Sequence, residues 1–206
     1  MGRSDRAATH WDVAYGRGER TVSWFQPLPA RSLKMIEEAG IGPAAALVDV
    51  GGGTSRLVDE LLDRGYGDIT VLDVSDAALA DARDRLADRA GQATWVLADV
   101  RDWRPDRRFD LWHDRATFHF QVDPADRDAY VATLDATTGT GSVAIFATFA
   151  PDGPSHCSGL PVTRYDSAGI AAVLGNGWRL MASDHEDHHT PSGAVQSFTW
   201  TAFRKR

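Results

Sequence analysis

The side chains most able to do chemistry sit where apolar runs end. Asp49 lies inside Leu47-Val48-Asp49-Val50, and Gly51-Gly52-Gly53 follows at once. Asp73 closes Ile69-Thr70-Val71-Leu72 with Val74 after it, and Asp99-Val100 follows the run Thr94 to Leu97. His113-Asp114-Arg115 closes Phe109-Asp110-Leu111-Trp112, and His119 comes shortly after. Glycines at a tight turn let backbone approach a ligand, and an acid about 20 residues further on accepts both hydroxyls of a ribose. A ligand made of adenosine joined to an amino acid needs backbone approach at Gly51 and Gly53 beside Asp49. It also needs Asp73 for the sugar and a polar group such as Asp99 near the adenine amine. His113, Asp114 and His119 are groups that take up protons, and Arg115 is a cation that orients an anion. Asp114, His119 and Arg115 are therefore expected on the acceptor side, with His113 against the bound nucleotide.

A dinucleotide site competes for the same turn. It requires Gly-x-Gly-x-x-Gly, whose third glycine lets the helix approach the strand. Counting from Gly51, Arg56 occupies that place, and its bulk argues against a pyrophosphate cradle. No Tyr-x-x-x-Lys pair follows the fourth apolar run, where His119 to Asp123 stands instead, which speaks against a short-chain oxidoreductase.

The elements that must hold these residues alternate along the chain. Strands are expected at 47–50, 69–73, 94–97, 109–113, 142–148, 178–183 and 196–203. Helices are expected at 4–16, 28–39, 54–64, 76–89, 124–136 and 167–174, with 151–165 as loop. Leu79, Ala82 and Leu86 face inward from one helix, and Tyr130, Val131 and Leu134 from another. Strand–helix alternation implies an α/β fold, a Rossmann-like doubly wound parallel sheet, whose ligands bind outside the carboxyl ends of the strands. Every unusual residue named above falls at such an end. Trp11 and Tyr15 on the first helix, and Trp24 in the aromatic segment 21–27, precede the first strand and are expected to cover the ligand mouth. Trp95, Trp178 and Trp200 read as core.

The 206 residues carry a net charge of -7 with 43% hydrophobic residues, which suits one domain with a substantial core and argues against nucleic acid as a partner. Segment 1–40 reads as a helical lid and 45–206 as the Rossmann-like core. The single cysteine, Cys157, forms no internal disulfide. No apolar run reaches the roughly 18 residues of a membrane span, and no signal peptide opens the chain, so a cytoplasmic protein is expected. His156, Cys157, His185, His188 and His189 are good ligand types, but no second cysteine completes a pattern. The expectation is a solvated turn around His185–His189 and no metal.

Over roughly residues 45–206 the chain resembles the class I S-adenosylmethionine-dependent methyltransferases. The resemblance rests on Asp49, Gly51 and Gly53 at the first strand, with Ser55 in place of the family's third glycine, on Asp73-Val74, and on Asp99-Val100. It implies S-adenosylmethionine as cofactor and Val74 along the adenine. It also implies a seven-stranded sheet, mostly parallel, with one antiparallel strand from a C-terminal hairpin. A narrower likeness, to the thiopurine and related thiol methyltransferases, rests on residues 109–116, 126–130 and 159–165. It implies a small-molecule acceptor, thiol-like or another heteroatom. Protein-lysine methylation and non-catalytic adenosine binding are the alternatives.

Overall fold

A computed structural model of the chain describes residues 3–16 and 22–206. Thr21, part of the expected aromatic segment, and residues 1–2 and 17–20 of the expected lid lie outside the described residues.

The strands are β1 (Leu47–Val50), β2 (Ile69–Asp73), β3 (Thr94–Leu97), β4 (Phe109–Arg115), β5 (Thr138–Phe149), β6 (His156–Cys157), β7 (Leu160–Pro161), β8 (Trp178–His189) and β9 (Val195–Lys205). The helices are α1 (Arg3–Tyr15), α2 (Ala30–Glu38), α3 (Leu57–Asp63), α4 (Asp76–Leu86), α5 (Pro124–Ala136) and α6 (Ser167–Leu174). Seven strands form one sheet in the order β3-β2-β1-β4-β5-β9-β8, and β6 pairs with β7 separately. Strands β1 to β5 run parallel, while β9 lies antiparallel between β5 and β8. This is the expected Rossmann-like sheet with one antiparallel strand.

The inner strands are mostly buried because both faces of the sheet are covered. One face packs Ile36, Leu57, Leu61 and Leu79 of α2, α3 and α4 against Leu111, Ile145 and Trp200. The other packs Tyr130 and Leu134 of α5, with Ile170 and Leu174 of α6, against Trp112, Phe146 and Phe203. Side chains before the helices take up free amides: Ser75 accepts from Ala78, Asp123 from Ala125 and Asp166 from Gly169.

Several boundaries differ from the expected ones. β4 runs on through Asp114 and Arg115, so these two sit inside a strand and face opposite sides of the sheet. His119 lies in a short 3-10 turn, Phe118–Phe120, that follows β4. α3 begins at Leu57 after a turn, with the Ser55 hydroxyl accepting from the Leu57 amide. α4 ends at Leu86 and passes into a 3-10 turn over Ala87–Gln92. The 151–165 loop carries the β6–β7 ribbon. β8 and β9 are longer than their apolar cores, because their pairing continues from Trp178–Lys205 to His189–Val195. His185, His188 and His189 therefore lie on a strand and not in a solvated turn. Trp178 and Trp200 are core, while Trp95 is half-buried.

Candidate active site at the carboxyl ends of the strands

Behind β1 the chain turns through Gly51 at φ +66° and Gly53 at φ +46°. No side chain fits there: a Cβ on Gly51 would stand 1.8 Å from Thr117 Oγ1, and one on Gly53 would stand 2.4 Å from Tyr15 Oη. The Gly51 amide donates to Leu72 O at 2.7 Å, which ties the turn to β2. Asp73 ends β2 and is 5% exposed. Its Oδ1 accepts from the Ser75 amide at 2.8 Å. Burial pushes its carboxyl up to about 7, against the pull of backbone amides. A buried carboxylate whose donors are neutral amides fits the hydroxyls of a ribose, which would add two more donors.

α1 lies across this rim. The Asp12 carboxylate accepts from Ser75 Oγ at 2.6 Å, anchoring the helix at the start of α4. Its aromatic residues meet those of the following segment and of the turn after β4. Trp11 packs edge-on to Trp24 at 5.7 Å and to Phe120 at 5.0 Å, and Tyr15 packs on Trp24 at 5.6 Å. Burial and Asp73 raise the Tyr15 phenol well above its usual range, so it stays neutral.

Under this roof is a cavity of about 370 Å³. Nine of the sequence-derived residues line it: Trp11, Tyr15, Trp24, Gly51, Asp73, Val74, Asp99, Val100 and Arg115. Asp49, Gly53, His113, Asp114 and His119 do not. Asp49 and His113 form a buried pair beneath the turn. His113 Nδ1 meets Asp49 Oδ1 at 2.7 Å, and Nε2 meets Ser32 Oγ at 3.0 Å, joining β1, β4 and α2.

Asp114 is fully buried on the opposite face from the cavity wall formed by Arg115. Its Oδ1 accepts from the Thr117 and Phe118 amides at 3.0 and 3.1 Å, and its Oδ2 from Tyr130 Oη at 2.5 Å. Tyr130 in turn accepts from Trp112 Nε1 at 2.8 Å. The two amide contacts hold the Ala116–Phe118 turn, where Ala116 stands at φ +68°, and the Tyr130 contact ties Asp114 to α5. Asp114 thus braces the cavity from behind and does not face an acceptor. His119 is likewise fully buried, and its Nδ1 accepts from the Phe149 amide at 3.3 Å. Burial, with Arg115 nearby, lowers its pKa to about 3, so the ring is neutral. The expectation of an acceptor-side imidazole fails because the 3-10 turn points His119 into the β5 side of the core.

Arg115 does reach the cavity. Its Nη1 donates to Trp24 O at 2.9 Å, and the guanidinium lies over the Phe198 ring, 5.3 Å from its centroid. Nε and Nη2 are buried with no partner among the described residues. Burial lowers its pKa to about 10, against the opposing pull of the Glu186 and Asp49 carboxylates.

The cavity also holds residues not expected there from the sequence. His10 lines it with Nε2 buried and unpartnered among the described residues, and Arg101, Asp126 and Cys157 line it too. Helical spacing would have found His10, since it shares a face with Ala7 and Trp11. Cys157 is brought in by the β6–β7 ribbon, and burial pushes its thiol up to about 11. Among the described residues no three His, Cys, Asp or Glu side chains converge on a metal position. His188 instead donates from Nε2 to Ser23 O at 2.8 Å, pinning the aromatic segment to β8. No helix among the described residues is long and apolar enough to cross a membrane.

Residues 47–141, the part of the chain from β1 into β5, match the family model described as a methyltransferase domain. EEF1A lysine methyltransferase 2 of Danio rerio is 28% identical over 145 residues, covering 62% of this chain and 61% of that protein. Trans-aconitate 2-methyltransferase of Escherichia coli is 26% identical over 127 residues, covering 62% of this chain and 45% of that one. Each match thus spans less than two thirds of the relative's own length. Among solved structures, a Burkholderia thailandensis 1,6-didemethyltoxoflavin N1-methyltransferase with bound S-adenosylhomocysteine aligns with TM-score 0.75 at 19% identity. That alignment covers 100% of this chain and 92% of the other, and it shows a shared fold.

Proposed function

We propose that the chain methylates a small-molecule nucleophile, thiol-like or another heteroatom, that carries an anionic group; the match of residues 47–141 to a methyltransferase-domain model and the fold shared with an S-adenosylhomocysteine-bound enzyme support this reading. The observation that carries this reading is Arg115, a buried cation with two unpartnered nitrogens in a roofed cavity.

S-adenosylmethionine supplies an electrophilic methyl on a sulfonium. The chain's own residues bind and align. Asp73 accepts the ribose hydroxyls, Val74 and Val100 flank the adenine, and Asp99 stands at its edge. Gly51 and Gly53 bring backbone close, while the Asp49–His113 pair holds the glycine turn from below. Trp11, Tyr15 and Trp24 act as a lid that excludes water. Arg115 seats the acceptor's anionic group and so sets the line of attack. Such alignment supplies most of what a displacement needs, with effective molarities of about 10⁵ M or more attainable. A thiol near its ordinary pKa of about 8.5 needs little help to ionise, and its proton leaves to solvent.

The reading agrees with trans-aconitate, the carboxylate in the name of the Escherichia coli relative. The Danio rerio relative is named for lysine. A lysine ammonium would meet Arg115 as a like charge in a desolvated site, which is strongly unfavourable. Calorimetry on protein saturated with S-adenosylhomocysteine, titrated with benzoate and tricarballylate, tests the proposal. Wild type should bind at least one of these carboxylates, and Arg115→Met should weaken it tenfold or more. No carboxylate binding to wild type would refute it. So would an Arg115→Met variant that weakens S-adenosylhomocysteine but not 5′-methylthioadenosine, since Arg115 would then hold the nucleotide's own carboxylate.

A further inference from the structure

Three charged side chains from two separate elements meet at one edge of the cavity. Asp99 follows β3, and Arg101 folds back on it. The Arg101 amide and Nε both donate to Asp99 Oδ1, at 3.0 and 2.8 Å, and Nη2 pairs with Asp99 Oδ2. The remaining end of the fork, Nη1, reaches Asp126 Oδ2 at 2.9 Å. Asp126 lies in the first turn of α5, on the far side of β4 in the chain, yet all three residues line the cavity. Their side chains are 8%, 13% and 18% exposed for Asp99, Arg101 and Asp126. The two carboxylates raise the Arg101 pKa above its usual range, so the guanidinium stays charged.

We propose that Asp126 and Arg101 are positioning residues that set the nucleotide site's selectivity for adenine. The proposal rests on Asp99 as the adenine-edge acid. A carboxylate only accepts, so it favours the exocyclic amine of adenine and opposes the oxo group that hypoxanthine carries at the same place. A guanidinium only donates and has the opposite preference. With Asp126 holding one end of the fork and Asp99 the other, the donors of Arg101 are turned onto the two acids. The edge of the cavity then presents acceptor character to the base. Without Asp126 the fork is held at one end only, and its loosened nitrogens are available to an oxo group.

The test compares S-adenosylhomocysteine with S-inosylhomocysteine by calorimetry on the full chain. Wild type should prefer the adenine ligand by tenfold or more. Asp126→Asn should narrow that ratio at least threefold, chiefly by improving the inosine ligand. Asp99→Asn, which offers an amide donor, should narrow it further. A role of Asp126 in holding α5 alone would weaken both ligands equally and leave the ratio unchanged, which overturns the proposal. If Asp99→Asn leaves the ratio unchanged, the adenine-edge assignment itself falls. If Asp99→Asn collapses the ratio and Asp126→Asn does not, only the contribution of Asp126 and Arg101 falls.

Discussion

Asp73 makes the binding of S-adenosylhomocysteine depend on pH in a way that can be worked out beforehand. In the ligand-free protein burial holds its carboxyl at about 7, against an ordinary value of 3.8. Ribose hydroxyls donate to the ionised form and not to the protonated one, so binding pulls the carboxyl back toward its ordinary range. Ligand binding must then expel a proton wherever the free group is protonated. Below pH 7 the affinity should fall about tenfold for each unit of pH, reaching roughly 30-fold, or about 2 kcal/mol, at pH 5.5. Above pH 7 it should be flat. Titration calorimetry between pH 5.5 and 7.5, in two buffers of different ionisation enthalpy, reads both the affinity and the proton released. The Asp73→Asn variant should bind weakly and without the slope. A flat wild-type profile with no proton release would refute the ribose assignment. So would a slope that persists in Asp73→Asn.

Three further perturbations act through the frame of the site. The same raised pKa means that ionised Asp73 weakens the ligand-free fold, a cost absent below pH 3.8 and complete above pH 7; Asp73→Asn should therefore raise the melting temperature at pH 7.5 while it lowers S-adenosylhomocysteine affinity. Asp114→Asn should cost about 1–3 kcal/mol in urea denaturation, because Tyr130 already accepts from Trp112 and would lose its own acceptor. Tyr130→Phe in the same background should recover part of that loss, and a variant as stable as wild type would show that the contact carries no weight. Gly51→Ala should abolish S-adenosylhomocysteine binding in a thermal-shift assay, since the added Cβ drives into Thr117 at a positive φ; an unchanged shift would mean that the turn relaxes freely.

Which residues were legible in the chain follows from range. Period and punctuation are local, so β3 at Thr94–Leu97, α5 at Pro124–Ala136 and α6 at Ser167–Leu174 fall where the apolar spacing and caps put them. The glycine turn and Asp73 were legible for the same reason, because each is placed by its own strand end. The ends of β8 and β9 were not, since polar residues from Ser183 to His189 extend a strand only because β9 offers a partner across them.

Side-chain direction was the least legible property. Consecutive strand residues face opposite sides, so His113, Asp114 and Arg115 cannot all serve one cavity, and which of them does depends on where β4 stops. The amino-acid sequence by itself determined the strand–helix alternation, the glycine turn and the acid at the end of β2, because these follow from neighbours along the chain. Only the tertiary structure decided that Arg115 reaches the cavity while Asp114 braces it from behind, and that Asp126 of α5 meets Arg101. Those outcomes depend on strand length, sheet face and helix docking, which are set by contacts between segments far apart in the chain.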